Sequence, residues 1–487
     1  MGPRVVDGSC WPCRKRRLKC DLRRPACTKC LLAGGACDYS QKQLQWVGGA
    51  AFRGRLKTIG ATLEGHGFHS TMGSPVNDCG PLSTPPASPA SPSPFLPQSL
   101  VLYFRNAVWP RLQLSEQLIS LDEEMLMHEP VLTETILAVS QAHHHLLYSN
   151  KASCVAGSGV RSQEQARQVA LTKFRSRIEC GVDSVDEARQ LFQVVCMFCI
   201  LDGVIAPDLQ NNASESHLKG GSSMLSTWTA IPSQMLLAGG LQTHLLSVFA
   251  TVDLVCSLVS GDKPFFEPTI WSMFADVHAW WGKLPCGDSF LKVLKVYSEV
   301  AFLGNIVHDH LPEDDGYRLA ERCVSDILAS LVGQAARSYG PDFTLPGHWD
   351  SFCTLYETSA IIYAYRALQG RRIDDAAVQL VVRQAVSSLL DQPLPGMMTH
   401  CLMFPLLVVG SHCLYAQDRK AVSDSLSKST SYLAFGNLVL MADLLRDIWS
   451  RPEIELNWWD MFRSVSQTSS CSDGMILTVV GKRVQCS

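Results

Sequence analysis

The chain has 487 residues, of which 46% are hydrophobic and 18% charged. That composition excludes a wholly disordered or fibrous protein and supplies core enough for about three domains. The formal net charge of −3 hides a split: residues 1–60 carry +10, from 13 Lys and Arg against three Asp, and the remainder carries −13. A small basic head on a large acidic body reads as a nucleic-acid-binding segment attached to a separate domain.

The head comes first in the chain. Met1 to Ser9 has no apolar run of the secretory kind. Six of the 19 cysteines crowd into residues 10–37, and the other 13 are scattered as buried thiols of an intracellular protein usually are. Cys10, Cys13, Cys20, Cys27, Cys30 and Cys37 form two copies of one unit: a close pair, six residues, then a third cysteine. A close pair suits tetrahedral metal, because two thiolates across a short turn reach one ion at about 2.3 Å. Six sulfurs complete two four-thiolate sites only if two of them are shared. A disulfide framework or a redox pair is the rival reading, and a reducing compartment disfavours it. A stretch this short has almost no core of its own, so its folding is expected to be coupled to metal.

The segment CWPCRKRRLKCDLRRPACTKCLLAGGAC resembles the DNA-binding domain of fungal Zn2Cys6 binuclear-cluster transcription factors. The resemblance implies two Zn2+ per chain. Cys10 and Cys27 would bridge them, Cys13 and Cys20 completing the first site and Cys30 and Cys37 the second. Pro25 matches the family proline in the loop joining the halves. The resemblance also implies a short helix after Cys13 that enters the major groove end-on, with Leu18 facing the cluster and Arg14, Lys15, Arg16, Arg17 and Lys19 facing DNA. Arg16 and Arg17 occupy the base-contacting positions, which implies CGG-like triplets. An arginine fork reads guanine O6 and N7 with about 1–3 kcal/mol of discrimination. Arg17 stands where the family often has lysine, a point charge rather than a fork. Arg14, Lys19 and Lys29 are expected on phosphates, which position without specifying sequence. The same basic run also fits a nuclear-localisation patch. Two zincs and six thiolates leave the cluster near −2, so the basic side chains must outweigh it and binding should weaken steeply with salt.

Gln45 to Lys57 follows, with Arg53, Arg55 and Lys57 among glycines, and reads as an arm along the DNA backbone or as solvated chain. No apolar heptads lie between Asp38 and Gly73, which argues against a strict coiled-coil dimer on two triplets. Residues 61–98 read as a disordered linker, since eight of the 25 prolines fall between Pro75 and Pro97. Its Ser/Thr-Pro pairs (Ser74-Pro75, Thr84-Pro85, Ser88-Pro89, Ser91-Pro92, Ser93-Pro94) suit either proline-directed phosphorylation or plain spacer.

Residues 99–487 read as an all-α body. Leu438, Met441, Leu445 and Ile448 mark one face of a helix, and Ile136, Val139, His143, Leu146 and Leu147 another. Gln165 to Ile178 places Ala166, Val169, Ala170, Phe174 and Ile178 on one side, with Arg167, Lys173, Arg175 and Arg177 largely elsewhere. Leu191 to Ile205, broken by Gln193, Asp202 and Gly203, reads as a buried helix rather than a membrane span. Met475 to Val480 is the clearest strand-like run. Four segments resemble the fungal-specific transcription factor regulatory domain, of the acriflavine sensitivity control type: Leu102 to Leu114, His217 to Leu225, Phe352 to Leu368 and Leu438 to Trp449. The resemblance implies a helical region controlling activity, dimerisation or effector response.

Other clusters carry less. Cys196 and Cys199 read as core thiols, and the sequon Asn212-Ala213-Ser214 as chance. Adjacent histidines His143, His144 and His145 splay about 100° apart on a helix and make a poor metal site. His308-Asp309-His310 reads as a solvated turn. Trp458, Trp459, Met461 and Phe462, beside Glu453, Glu455 and Asp460, fit an acidic-aromatic activation segment or a docked C-terminal helix. No catalytic motif appears, so no enzyme is expected.

The expected architecture is therefore mainly α: a Zn2Cys6 domain over 1–40, a basic arm and Pro/Ser-rich disordered linker over 41–98, and a helical regulatory domain over 99–487. The expected partner is double-stranded DNA in the nucleus, with no membrane. A second copy of the chain, co-regulators or a small effector are candidate partners of the body. The rival reading is a nuclear zinc protein whose body binds a protein or small effector without reading DNA sequence.

Overall fold

The computed structural model describes residues 9–10, 12–13, 20–24, 26–33, 37, 97–114, 121, 126–127, 129–149, 163–207, 213–309, 327, 329, 346–391, 394–450 and 457–463. The chain divides into two compact units, Met1–Val47 and Gly48–Ser487. Among the described residues of the first are a short helix, α1 (Thr28–Leu32), and a helical Pro12-Cys13 pair.

The second unit is built of helices, and its only described strands are a two-residue hairpin, β1 (His278–Ala279) and β2 (Gly282–Lys283). Its first helix, α2 (Pro97–Tyr103), opens on the last proline of the Pro-rich run. Proline is tolerated there because a first-turn residue needs no N–H partner. α3 (Pro130–Ser149) packs on α4 (Gln163–Glu179) and on α5 (Val185–Ile200). In α5 the Ser184 hydroxyl caps the start by accepting from Glu187 N–H at 3.2 Å, and the Glu187 carboxylate accepts from Asp183 N–H at 3.0 Å. α5 in turn packs on α6 (Ala213–Thr227), α7 (Ile231–Ala238) and α8 (Gly240–Ser260).

Two segments, Val185–Ile205 and Gly240–Ser260, are long and apolar enough to cross a membrane, but they are 78% and 72% buried in the body. An apolar surface on all sides of a helix requires protein around it, and here α5 and α8 are the central core helices. α8 ends at Gly261, whose φ of +76° and close approach to the His308 ring leave no room for a side chain. Beyond it lie α9 (Ile270–Met273), the hairpin and α10 (Ser289–Asp309). An aromatic cluster holds this region: Trp281 meets Trp271, Phe274 and Phe290 at centroid distances of 5.6 to 6.2 Å.

The C-terminal half adds α11 (Pro346–Tyr363), α12 (Ala376–Asp391), α13 (Gly396–Thr399), α14 (Met403–Ser411), α15 (Ala416–Leu433) and α16 (Gly436–Ser450). α11 packs on α10, α12 and α14, and α14 on α16. In α16 the residues Leu438, Met441 and Leu445 are buried as their spacing requires. The last described helix, α17 (Trp458–Arg463), docks on α8. Trp458 is wholly buried and its Nε1 donates to Leu258 O at 2.9 Å. Trp459, Met461 and Phe462 are buried as well, so these side chains serve packing.

Candidate metal centre

The sulfurs of the head converge. Cys10, Cys13, Cys20 and Cys27 form one set whose Sγ atoms all lie within 4.8 Å of one another, and Cys10, Cys27, Cys30 and Cys37 form a second. The two sets share Cys10 and Cys27. Their spacing tests the fit to zinc. Sulfurs 2.3 Å from a tetrahedral centre sit about 3.8 Å apart. The measured edges are 3.6 Å for Cys10–Cys27, 3.6 Å for Cys10–Cys30, 3.5 Å for Cys13–Cys27 and 3.8 Å for Cys10–Cys20. A disulfide needs about 2.05 Å, so these are clustered free thiols. An all-sulfur tetrahedral donor set is the kind zinc prefers, and the residues fit it.

The backbone is shaped around the sulfurs. Cys27 is the cap of α1, and its Sγ accepts from Cys30 N–H at 3.4 Å. Leu22 N–H donates to Cys20 Sγ at 3.4 Å, and Cys27 N–H to Cys37 Sγ at 3.2 Å. These donors offset the negative charge of thiolates. Leu22 takes a φ of +60°, which an ordinary side chain rarely adopts, and this turn aims its N–H at Cys20. Asp21 clasps the two halves, its carboxylate accepting from Thr28 N–H at 3.2 Å and from the Thr28 hydroxyl. That contact lies at the N-terminus of α1, where an acid is favoured, and the Thr28 hydroxyl holds the Asp21 carboxyl below its ordinary range. Its role was missed in the sequence, where Asp21 reads only as an acid in a basic run. The signal is an Asp seven residues before a threonine that opens a helix.

Without metal the thiols compete. Burial and the neighbouring Cys27 push the Cys13 thiol up to about 12, and burial pushes Cys10 and Cys30 up too. Cys27 goes the other way: burial raises it, but donation from Cys30 N–H and from the thiols of Cys30, Cys13 and Cys10 takes it down to about 6. Burial lifts Cys10, Cys13 and Cys30 while hydrogen bonds lower Cys27, so without a cation these four sulfurs pull against one another.

Of the residues expected on DNA, Lys29 stands exposed on α1. Arg14, Lys15, Arg16, Arg17, Leu18 and Lys19 lie outside the described residues, as do Pro25, the arm Gln45 to Lys57, the Ser/Thr-Pro pairs, His310 and the run Met475 to Val480.

In the body the other clusters resolve into packing. Cys196 and Cys199 are buried in α5, and burial pushes both thiols well above their ordinary range. His143 is buried, His144 half-buried and His145 exposed, so the three splay. His308 sits on α10 with its ring against Trp459 at 5.0 Å, where a solvated turn was expected. Ser214 of the sequon is buried in α6.

Arg167 departs from the sequence reading: it lies inward. Its Nε and Nη2 donate to the Asp202 carboxylate at 2.7 and 3.0 Å, and His217 Nε2 approaches the same carboxylate at 2.9 Å. All three residues are buried. Burial pushes the Asp202 carboxyl up, but His217 and Arg167 together hold it below its ordinary value. An Asp inside an apolar run must find buried partners, and that was the signal in Leu191 to Ile205. The partners, 35 residues before and 15 after, are invisible to helical spacing.

Comparison with known protein families agrees with this picture. Residues 101–471 match the model described as fungal specific transcription factor domain, and residues 8–45 match fungal Zn(2)-Cys(6) binuclear cluster domain. The chain belongs to the fungal Zn2Cys6 transcription factors. It is a zinc-binding, DNA-binding regulator of transcription, a class that is in general not enzymatic. No curated protein and no solved structure matches the chain.

Proposed function

We propose that this regulator is a nuclear protein that reads CGG-like triplets and controls transcription by RNA polymerase II. In this reading Cys10 and Cys27 bridge two Zn2+ per chain, with Cys13 and Cys20 completing one tetrahedron and Cys30 and Cys37 the other. The observation that carries it is the pair of sulfur sets sharing Cys10 and Cys27. Bound zinc supplies cross-links rather than reactivity. The basic run Arg14 to Lys19 is joined covalently to Cys13 at one end and Cys20 at the other. Pinning both ends removes most of the conformational freedom that base readout would otherwise have to overcome. Arg16 and Arg17 then read guanines, while Arg14, Lys19 and the exposed Lys29 hold the backbone and Lys15 faces the DNA beside them. The body regulates, through dimerisation, a co-regulator or an effector.

The test uses the full-length, zinc-loaded chain, which should hold two zinc ions by elemental analysis and retard a CGG-bearing duplex over a scrambled one. Arg17→Ala should cut that discrimination by about 1–3 kcal/mol. Lys19→Ala should weaken every duplex alike and flatten the salt slope by about one. Equal affinity of the unsubstituted protein for both duplexes at moderate salt would sink base readout.

A further inference from the structure

The body holds a partly open cavity of about 160 Å³ that the DNA reading does not use. Val248, Val252 and Val255 line it from α8, and Met403, Phe404 and Leu407 from α14. The π turn that ends α5, Leu201–Ile205, contributes Gly203 and Val204. Among the described residues no Asp, Glu, Lys, Arg or His lines the space.

Two of the polar side chains that reach it are already engaged. Thr251 Oγ1 donates to Ser247 O at 2.8 Å and accepts from Trp280 Nε1 at 2.9 Å. The Tyr356 hydroxyl donates to Cys401 O at 2.5 Å. Asn437 differs. It is 2% exposed, its Nδ2 donates to the sulfur of Met403 at 2.8 Å, and its Oδ1 has no partner. Turning the amide over leaves both ends without a partner, since the thioether sulfur is a weak acceptor and donates nothing. An unmet buried acceptor is destabilising and calls for an explanation. The fold brings it here by design of the preceding residue: a Cβ at Gly436 would come within 2.8 Å of Ile205 O and of Pro207 Cδ. Glycine at 436 is what lets the first turn of α16 sit against the π turn and present Asn437 to the cavity.

We propose that this cavity binds a small neutral molecule, apolar over most of its surface, that donates one hydrogen bond to Asn437 Oδ1. An apolar cavity of about 150 Å³ accepts benzene, so the ligand is of single-ring size with a hydroxyl or N–H group. An ionic ligand is excluded because nothing in the site balances its charge.

Phenol, benzene and benzoate are the probes, titrated into the full-length, zinc-loaded chain while the thermal unfolding of the body is followed. Phenol should raise the melting temperature saturably, with an affinity about tenfold above that for benzene, and benzoate should not raise it. Asn437→Leu removes the unmet acceptor, so it should keep benzene binding and erase the preference for phenol. Val252→Phe fills the space and should abolish both. No saturable response to phenol, as from a cavity that holds only water, overturns the proposal. So does a phenol preference that survives Asn437→Leu, or phenol binding that survives Val252→Phe if the Leu variant fails to fold. The readout involves no DNA, so failure here and failure of triplet reading are separate results.

Discussion

The head and the body reach order by opposite means. In the head the buried hydrophobic positions among the described residues are cysteines, with Cys10, Cys13, Cys27 and Cys30 wholly inaccessible, while Leu31 and Leu32 of α1 are 66% and 81% exposed. Among the described residues no other apolar side chain is buried there, so a cation at the centre of the sulfurs is what would supply the cohesion. In the body, α5 runs buried from Leu191 to Ile200 and the aromatic cluster around Trp281 closes the far end. Cohesion there comes from apolar burial, at roughly 25 cal/mol per Å² removed from water. A unit held by one kind of bond can be dismantled while leaving the other intact.

Metal removal is the largest expected effect. A strong chelator should lower affinity for DNA at least a hundredfold, because folding of so small a unit is coupled to the metal its clustered sulfurs would hold. The helical circular dichroism and the thermal transition of the body should stay unchanged. Loss of both together would mean that the body also depends on metal, and the contrast would fail.

The reverse experiment strikes the body. Asp202→Ala leaves Arg167 buried without its carboxylate and should cost about 3–5 kcal/mol, read as a lower midpoint in denaturant. Zinc content should remain that of the unsubstituted chain. Asp202→Leu combined with Arg167→Leu should recover much of the loss, since replacing both partners removes the uncompensated charge. A single substitution that costs less than about 1 kcal/mol would show that Arg167 finds water or another acceptor.

How far each unit could be read beforehand follows from the same contrast. The head was legible because metal-ligand patterns are local: C-x2-C-x6-C, twice, picked out the six cysteines whose sulfurs converge. Much of the body was legible wherever one helix face meets the core, as at Leu438, Met441 and Leu445. What spacing does not carry is contact between distant segments. Arg167 looked like one more cation on a polar face, yet α4 turns it toward a carboxylate 35 residues on. The aromatics near Trp458 had two readings, and only the carbonyl of Leu258, 200 residues earlier, decided for docking. The orphan amide of Asn437 gave no sign at all, because it is defined by a cavity drawn from both halves of the body.

Acid sharpens the comparison with the smallest effect. His143 is buried between α2 and α15, with the Tyr103 hydroxyl 2.9 Å from its Nδ1 and Leu433 O 2.8 Å from its Nε2. A carbonyl only accepts, so Nε2 carries the proton and Nδ1 accepts from Tyr103: the neutral ring satisfies both partners. Burial, together with the charges of Arg111 and His144, outweighs the Leu433 carbonyl and lowers its pKa to about 4, against about 6.5 in the unfolded chain. As pH falls below 6.5 the unfolded chain takes up this proton first, so stability declines until the folded chain follows near pH 4. Between pH 7 and pH 5 the loss from this one group is about 2 kcal/mol. His143→Gln keeps an N–H for Leu433 and an oxygen for Tyr103 but does not titrate in this range, so its body should lose less stability over the same interval by that amount. Zinc release from the head on acidification should be the same in both proteins, because its protons go to sulfur. Equal acid sensitivity of the two bodies in denaturant titrations at pH 7 and pH 5 would show that His143 is protonated in the fold, and that α2 and α15 hold it by charge rather than by a neutral pair of hydrogen bonds.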